Sequence, residues 1–262
     1  MAVAKLSPSR IRTVAAGAPV AWALCLAILM VAADGPRLYA GHEQADSAQQ
    51  PPLLRLLRES RAPYHTVAVQ FTQTKRLTIL DVTLKSEGMI FFRRPGLIRY
   101  EIISPVRSLL LHDTKKAQCY AFTEGRWELL RSPGATAVGR VLRQIGHWIQ
   151  GDFDTDQKMF HLAVMPWDQG AGCIRLTPRS EGLAEYIQGV SIYVDEGPDY
   201  QVRRVVIHES DVDTTELLFG RERRNRPIPE RTFVSPDASE ACVDFFRQTE
   251  QDDPNDTETP PS

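Results

Sequence analysis

The sequence has little cysteine, with four residues in a chain of 262 and no pair at the CxxC spacing of redox and zinc motifs. Cys119, Cys173 and Cys242 follow the N-terminal apolar segment. An odd number of cysteines in an oxidising compartment allows one disulfide and one free thiol, or three buried thiols. We expect core residues, and a disulfide that involves Cys242 is the alternative.

The motifs of the common hydrolases and nucleotide-binding enzymes are missing too. The chain has no GxSxG elbow, HExxH pair, GxGxxG turn or Walker loop. Asp152, Asp154 and Asp156 resemble the beginning of a calcium-binding loop. Gln157, however, occupies the position that needs glycine, and Ala163 occupies that of the bidentate glutamate. We therefore predict no metal, no cofactor and no enzyme activity.

Neither sign of charge dominates, since 31 lysines and arginines stand against 33 aspartates and glutamates. The acidic excess is concentrated at the C-terminus, where five acids occur without a base: Glu250, Asp252, Asp253, Asp256 and Glu258. The body of the protein is therefore close to neutral, which argues against a nucleic-acid partner. Residues 249–262 are predicted to form an acidic, disordered tail.

The N-terminus has the layout of a secretory signal peptide. Basic residues precede an uncharged apolar run at 14–33, and small residues follow it. The sequence predicts removal of residues 1–33 by cleavage after Ala33, with a second choice after Ala40. The alternative is an uncleaved anchor, because about 20 apolar residues just span a bilayer. We expect an exported protein in which residues 41–52 form a disordered leader.

A single folded domain is predicted at 53–248. It begins with a short amphipathic helix in which Leu53, Leu54 and Leu57 share one face and which ends before Pro63. From residue 66 the apolar period changes to two, as in a half-buried strand. Further strands with short turns between them indicate an antiparallel sheet: 86–93, 97–103, 107–112, 117–122, 158–165, 172–177, 189–195, 202–208, 214–219 and 231–234.

The segment 71–113 carries apolar and aromatic residues on both faces of its strands. A sheet of this kind needs a cover on each face, or one of its faces binds an apolar ligand. One helix is predicted at 136–149, with Leu142, Ile145 and Trp148 at helical spacing. Two glycines weaken it by up to about 1 kcal/mol each relative to alanine. The helix is therefore predicted to be a mobile lid over the sheet.

Arg94 stands at the end of a strand, directly before Pro95, among apolar neighbours. A guanidinium in apolar surroundings needs several acceptors, because an unpaired buried charge is costly. Carbonyl groups of the lid helix would make Arg94 a latch, and the alternative is a surface arginine that caps a turn. The arginines of the loop 221–226 also have two interpretations, a solvated loop or a docking patch for an acidic partner or anionic lipid.

Several short motifs follow one another in a specific order along the chain: Phe71-Thr72-Gln73, Glu87-Gly88-Met89, Arg94-Pro95, Ile98 to Tyr100, Ser104-Pro105, Asp113-Thr114, Leu176-Thr177-Pro178 and Phe233-Val234-Ser235-Pro236. In this order and spacing they resemble the LolA family, the periplasmic carriers of outer-membrane lipoproteins. The resemblance covers nearly the whole chain after the leader. Two positions depart from the family pattern, since Thr114 replaces the usual glycine and Tyr100 stands where tryptophan is common.

The resemblance implies an α+β fold: an incomplete, strongly curved antiparallel β-barrel, or half-barrel, with a helical lid that encloses a hydrophobic cavity. The acyl chains of a lipoprotein would occupy the cavity. Arg94 matches the family arginine that holds the lid closed, and Ile98 and Tyr100 match positions that line or flank the cavity. Further residues predicted to line it or to belong to the lid are Phe71, Phe91, Leu109, Leu111, Leu142, Ile145 and Trp148.

The sequence therefore predicts a periplasmic, non-enzymatic carrier of lipoproteins or another lipid. The resemblance implies a release complex at the inner membrane and an acceptor at the outer membrane, and we expect a monomer. The first alternative is a regulatory domain of the same fold that senses lipid or mislocalised lipoprotein. The second is a hydrolase of acylated substrates.

Overall fold

The structure, a computed structural model, describes residues 51–78, 81–113, 116–130, 144–153, 158–184 and 187–251. The predicted signal peptide, residues 41–50 of the leader, Leu142 and the tail from 252 lie outside the described residues. Within those residues, no helix combines the length and the apolar character needed to cross a membrane.

In the part of the chain that the structure describes, twelve strands form one sheet in which every neighbouring pair is antiparallel. Their order across the sheet is β6-β5-β4-β3-β2-β1-β11-β10-β9-β8-β7, and β12 pairs with one end of β1. The strands are β1 (Thr66–Leu77), β2 (Val82–Arg93), β3 (Leu97–Ser104), β4 (Ser108–His112), β5 (Ala117–Thr123), β6 (Arg126–Leu129), β7 (Phe160–Met165), β8 (Gly172–Pro178), β9 (Gly189–Val194), β10 (Val202–His208), β11 (Thr214–Phe219) and β12 (Arg223–Arg224).

Among the described residues, five helices accompany the sheet: α1 (Pro52–Arg61), α2 (144–149), α3 (Glu181–Ala184), α4 (Arg231–Val234) and α5 (Ser239–Gln251). In α1 the proline at the start has a fixed φ that suits a first helical turn, and three leucines form the buried stripe. A 3₁₀ turn at Pro236–Ala238 joins α4 to α5.

The centre of the sheet is the hairpin of β1 and β2, which pair along twelve residues. Phe71 stands opposite Gly88 in this register. A Cβ atom on Gly88 would lie 2.3 Å from Phe71 Cζ and 2.5 Å from the carbonyl oxygen of Glu101. Glycine is therefore needed at this position, because the phenylalanine ring lies directly over its Cα.

The two faces of the sheet have separate hydrophobic cores. The larger one, here called the inner cluster, combines α1, α2, β1–β5 and β7–β11. Because strands from both halves of the sheet pack into this one cluster, the sheet curls around it, and the side of the sheet that faces it is the inner face. The smaller one, the outer cluster, lies between the other face and the C-terminal helices and consists of Ala68, Met89, Phe91, Ile228, Phe233, Ala238, Cys242 and Phe246.

The predicted fold class is confirmed, since the sheet is antiparallel, open between its edge strands β6 and β7, and accompanied by helices. One predicted strand is wrong. Residues 231–234 are β-branched and aromatic, which favours a strand, but they form α4, where Ser235 N–H donates to Arg231 O at 2.9 Å. Packing of Phe233 into the outer cluster overrides the local preference.

Helix α5 was not predicted, although its buried Cys242, Phe246 and Thr249 recur at helical spacing. The predicted boundary between 248 and 249 therefore falls inside a helix.

The cysteines that follow the N-terminal apolar segment behave as predicted. Cys119, Cys173 and Cys242 are free and buried, so the core interpretation is confirmed and the disulfide alternative is wrong.

Candidate functional site

Five of the predicted site residues meet on the inner face: Phe71, Ile98, Tyr100, Ile145 and Trp148 all belong to the inner cluster. The rings of Phe71 and Tyr100 lie 5.0 Å apart between centroids. Tyr100 donates its hydroxyl proton to Gln73 Oε1 at 3.1 Å, so its polar atom is satisfied while its ring stays among apolar side chains. The arrangement offers a wide apolar surface with few polar groups.

Two helical segments cover this surface. Helix α1 contributes Leu53, Leu54 and Leu57, and α2 contributes Ile145, Trp148 and Ile149. The position of α2 depends on a glycine, because a Cβ atom on Gly146 would lie 2.6 Å from Ile98 Cδ1. Gly146 therefore lets the backbone of α2 come down onto the inner face.

The chain after α2 turns sharply against α1. Gly151 has φ +72°, and a Cβ atom there would lie 2.9 Å from the backbone of Leu57. His147 Nδ1 lies 3.0 Å from Asp152 Oδ2, and Gln150 Nε2 donates to Gly146 O at 2.8 Å. These two polar contacts stay within the segment 144–153, and the apolar side chains of Ile145, Trp148 and Ile149 pack into the inner cluster.

Arg94 is exposed at the rim of the sheet, so the predicted apolar surroundings are wrong. The turn at Arg94-Pro95 carries it out of β2. Its Nε donates to Tyr64 O at 2.8 Å, and its Nη2 donates to Arg61 O at 3.4 Å. These acceptors lie at and just after the end of α1. The latch role of Arg94 stays a prediction, and α1 is the cover element that these two bonds hold.

The end of α1 is also tied down by a group of buried charges. Arg61 is 1% exposed and pairs with the carboxylate of Glu222, which accepts a second bond from Arg224 Nε at 2.8 Å. Arg224 also pairs with Asp199, which accepts a hydrogen bond from Tyr64. That hydrogen bond, with the nearby guanidinium groups, lowers the pKa of Asp199. Arg224, one arginine of the loop 221–226, therefore pairs with acidic residues of this same chain, Glu222 and Asp199.

Three predicted site residues lie on the opposite face. In the register of β2, β3 and β4, Phe91 stands across from Arg99, and Arg99 stands across from Leu111. Leu109 occupies the same face beside Glu101. The ring of Phe91 packs on Phe245 and Phe246 of α5, with centroids 5.4 and 5.3 Å away. The assignment of Phe91, Leu109 and Leu111 to the inner face is therefore wrong. Adjacent residues of a strand point to opposite faces, so an error of one residue moves a side chain to the other face.

Sequence reasoning also missed Arg99, whose side chain is 0% exposed on the outer face. Its Nε donates to Glu101 Oε2 at 2.8 Å. Its two terminal nitrogens donate to four acceptors of the C-terminal segment at 2.8 to 3.2 Å: the carbonyl oxygens of Thr232, Ser235 and Pro236 and the hydroxyl of Ser239. These five bonds match the five N–H donors of a guanidinium. Arg99 thus fastens the C-terminal helices to the sheet.

A pocket of about 660 Å³, here called the rim pocket, opens between α1, the turn at Arg94-Pro95 and the end of α2. Phe92 and Ile98 contribute apolar surface to it and also belong to the inner cluster. Its titratable residues are Arg58, Arg94, His112, His147 and Asp152. In the described part of the chain, no group of three or more acidic, histidine or cysteine residues is placed to hold a metal ion.

The protein is of the open antiparallel half-barrel class. Helices close its apolar inner face, and a second helical layer covers its outer face. The chain belongs to the family of the outer membrane lipoprotein carrier protein LolA, whose profile matches residues 63–235. A comparison with curated protein sequences found no significant match.

Several solved structures are similar to this chain. LppX, a lipoprotein from Mycobacterium tuberculosis, shares 12% identity at a TM-score of 0.39, and the match covers 69% of this chain and 98% of LppX. A LolA superfamily protein from Nitrosomonas europaea shares 11% identity at 0.36, with 69% and 95% covered. MucB of Pseudomonas aeruginosa, solved in complex with MucA, shares 13% identity at 0.37, with 69% and 59% covered.

Proposed function

We propose that this protein is a periplasmic carrier that binds the acyl chains of lipoproteins, or of another lipid, on its inner face and shuttles them from the inner to the outer membrane. Membership in a family of lipoprotein carriers supports the proposal. The observation that carries it is the inner face itself. It is apolar across both halves of the sheet, and α2 covers it through Ile145, Trp148 and Ile149.

The energetics suit a shuttle. Each buried methylene contributes about 0.8 kcal/mol, so one 16-carbon chain gains roughly 12 kcal/mol if it is fully buried. Full burial of several chains would make release too slow, whereas an open-sided barrel leaves part of the cargo accessible. A cover that closes when the protein is empty competes with cargo and lowers its net affinity. Phe71, Ile98 and Tyr100 would contact acyl chains, while Ile145 and Trp148 would move aside.

The route to the periplasm is the predicted signal peptide, residues 1–33. The mass of the mature protein from a periplasmic fraction tests it. Cleavage after Ala33 or after Ala40 gives two distinct masses, and the uncleaved chain would support the membrane anchor. A monomer that exchanges cargo with an inner-membrane release complex and an outer-membrane acceptor completes the proposal.

Mass spectrometry of lipids and lipoproteins extracted from the purified protein tests the function. An intact lipoprotein or lipid supports the carrier. Turnover of an acyl ester would support the hydrolase instead, and capture of a regulatory membrane protein whose activity depends on bound lipid would support the sensor.

Saturable binding of an apolar fluorescent probe tests the inner face directly. Ile98 and Ile103 offer a matched pair, because they lie on opposite faces of β3. Ile98→Gln is expected to weaken probe binding and Ile103→Gln to leave it unchanged, with circular dichroism as the check on folding. Equal loss in the two variants, or no saturable binding by the parent protein, overturns the proposal.

A further inference from the structure

The apolar surface of the inner face ends before the central strands do. Along β1 the inner-facing residues change from apolar to polar after Phe71, with Gln73 and Lys75 next on the same side. The neighbouring strands change at the same levels, because Ser86 of β2 stands opposite Gln73 and Thr215 of β11 stands opposite Lys75. The part of the inner face next to the turn between β1 and β2 is therefore polar on these three strands.

Lys75 forms an ion pair with Glu209 at this polar end. Its Nζ donates to the two carboxylate oxygens of Glu209 at 3.0 and 3.2 Å, and Thr215 Oγ1 donates to Glu209 Oε1 at 2.7 Å. The side chain of Lys75 is 3% exposed and that of Glu209 is 15% exposed. Both charges are thus largely removed from water, and each compensates the other.

An apolar chain cannot take over these contacts. A methylene group placed between Lys75 and Glu209 would leave a buried ammonium and a buried carboxylate without their hydrogen bonds, which costs more than burial of the methylene contributes. An acyl chain that lies along the central strands, on Phe71 and Ile98, therefore meets a barrier where the polar end begins.

We propose that the ion pair of Lys75 and Glu209 limits the length of the acyl chain that the inner face accepts. This inference rests on the proposed function and adds a selection by chain length. From Val67, at the start of β1, to Gln73 the strand rises about 20 Å, at roughly 3.3 Å per residue. Each C–C bond of about 1.5 Å advances an extended chain by about 1.25 Å, so about 16 carbons fill this distance.

A series of saturated monoacylglycerols with about 8 to 20 carbons tests the limit, in competition with an apolar fluorescent probe on the purified protein. Each competitor is kept below the concentration at which it forms micelles. The affinity is expected to rise about fourfold with each added carbon while the chain finds apolar surface, and to stop rising at about 16 carbons. The headgroup is the same throughout, so this break in the series reports the chain alone.

Lys75→Met together with Glu209→Leu replaces the pair by apolar side chains, a change that buried ion pairs often tolerate. Chains longer than the break are expected to bind this double variant at least about fourfold more tightly, while shorter chains bind it as they bind the parent. Glu209→Gln keeps an acceptor oxygen for Lys75 and Thr215, so the break is expected to stay.

Arg204→Met together with Glu216→Leu is the matched control. These two residues form an ion pair between β10 and β11 on the outer face, because their neighbours Val205 and Leu217 belong to the inner cluster. The control is expected to leave the break in place. A series without a break, a break that the double variant of Lys75 and Glu209 does not move, or an equal shift in the control overturns the inference. If the monoacylglycerols compete in those cases, the proposed function survives; if none of them competes, the proposed function fails first.

Discussion

The sheet has a cover on each face, and the two covers are attached by different forces. On the outer face, Arg99 donates four of its five hydrogen bonds to the C-terminal segment that carries α4 and α5. On the inner face, α2 lies on the sheet through apolar side chains. Acyl chains can replace apolar contacts at little cost, but they cannot replace hydrogen bonds to a buried charge. The outer cover is therefore structural, and α2 is the part of the inner cover that a lipid can displace.

The difference begins at two neighbouring arginines. Arg93 pairs with Glu230 and lies 4.8 Å from the ring of Phe233, so it supports the outer cover. Arg94 binds the carbonyl groups of Arg61 and Tyr64, so it supports the inner cover through α1. One step along the chain thus changes which side of the sheet an arginine serves, because β2 ends at Arg93 and the turn carries Arg94 towards α1.

The largest expected effect is at Arg99. Arg99→Met leaves the carboxylate of Glu101 buried without its main partner and removes the donors from the C-terminal carbonyls. We expect the free energy of unfolding to fall by about 3–5 kcal/mol, the usual result of breaking a buried ion pair. Urea denaturation followed by circular dichroism measures it.

Arg94→Met is the control, because Arg94 is exposed and its loss should lower the free energy of unfolding by less than about 1 kcal/mol. A loss at Arg99 as small as the loss at Arg94 would mean that the outer cover is not held by the buried guanidinium. The distinction between the two covers would then disappear.

The reaction rates of two buried thiols, one under each cover, report how often each cover opens. Cys119 belongs to the inner cluster and Cys242 to the outer one. Burial raises the pKa of both thiols to about 11, so their thiolate fractions at pH 8 are similar and small. In mature variants that retain one of these thiols, Ellman's reagent is expected to react with Cys119 about tenfold faster, because local opening exposes it more often.

The dependence of these rates on urea is the control. Local opening of the inner cover exposes little surface, so the rate at Cys119 should rise only slightly with urea, whereas reaction at Cys242 should follow global unfolding. Equal rates with equal urea dependence would show that both covers open only when the whole domain unfolds.

Much of the sheet was predictable from its own pattern. The alternation of Val190, Ile192 and Val194 describes β9, and similar patterns describe most other strands. Where both faces of a strand are apolar, the sequence does not show which side chains point to the inner face and which to the outer face. Phe91 and Phe92 are adjacent and both buried, yet they belong to the outer and inner clusters respectively. Only the contacts made by distant helices distinguish them.

Arg99 shows the same limit for polar residues. Its partners at Thr232 and Ser239 are more than 130 positions away in the chain. In the local sequence Arg94 is the more unusual of the two arginines, because it precedes a proline, and no local feature singles out Arg99. By contrast, the spacing of Cys242, Phe246 and Thr249 did carry the signal for α5 and could have been recognised.

Arg93 and Arg94 form a matched pair of neighbouring arginines on which the latch can be tested. Each substitution by leucine is expected to change the free energy of unfolding by less than about 1 kcal/mol, since both side chains are at least partly exposed. Arg94→Leu should loosen α1, depopulate the closed empty state and slow the release of bound lipid to acceptor vesicles. Arg93→Leu should leave release unchanged. Unchanged release in Arg94→Leu would exclude the latch.

The smallest expected effect is at Gly146. In Gly146→Ala the new Cβ atom would lie 2.6 Å from Ile98 Cδ1, so either that methyl group or α2 must shift in the closed state. Alanine also favours the helix by up to about 1 kcal/mol, but that gain applies whether α2 is on or off the sheet. Only the closed state is penalised, and the affinity for an apolar probe should rise about two- to threefold in a titration. Gly220→Ala is the control, because its Cβ atom would make an ordinary contact, 3.5 Å from Gln70 O. If Gly146→Ala leaves the affinity unchanged, the close contact between Gly146 and Ile98 does not control the entry of the ligand.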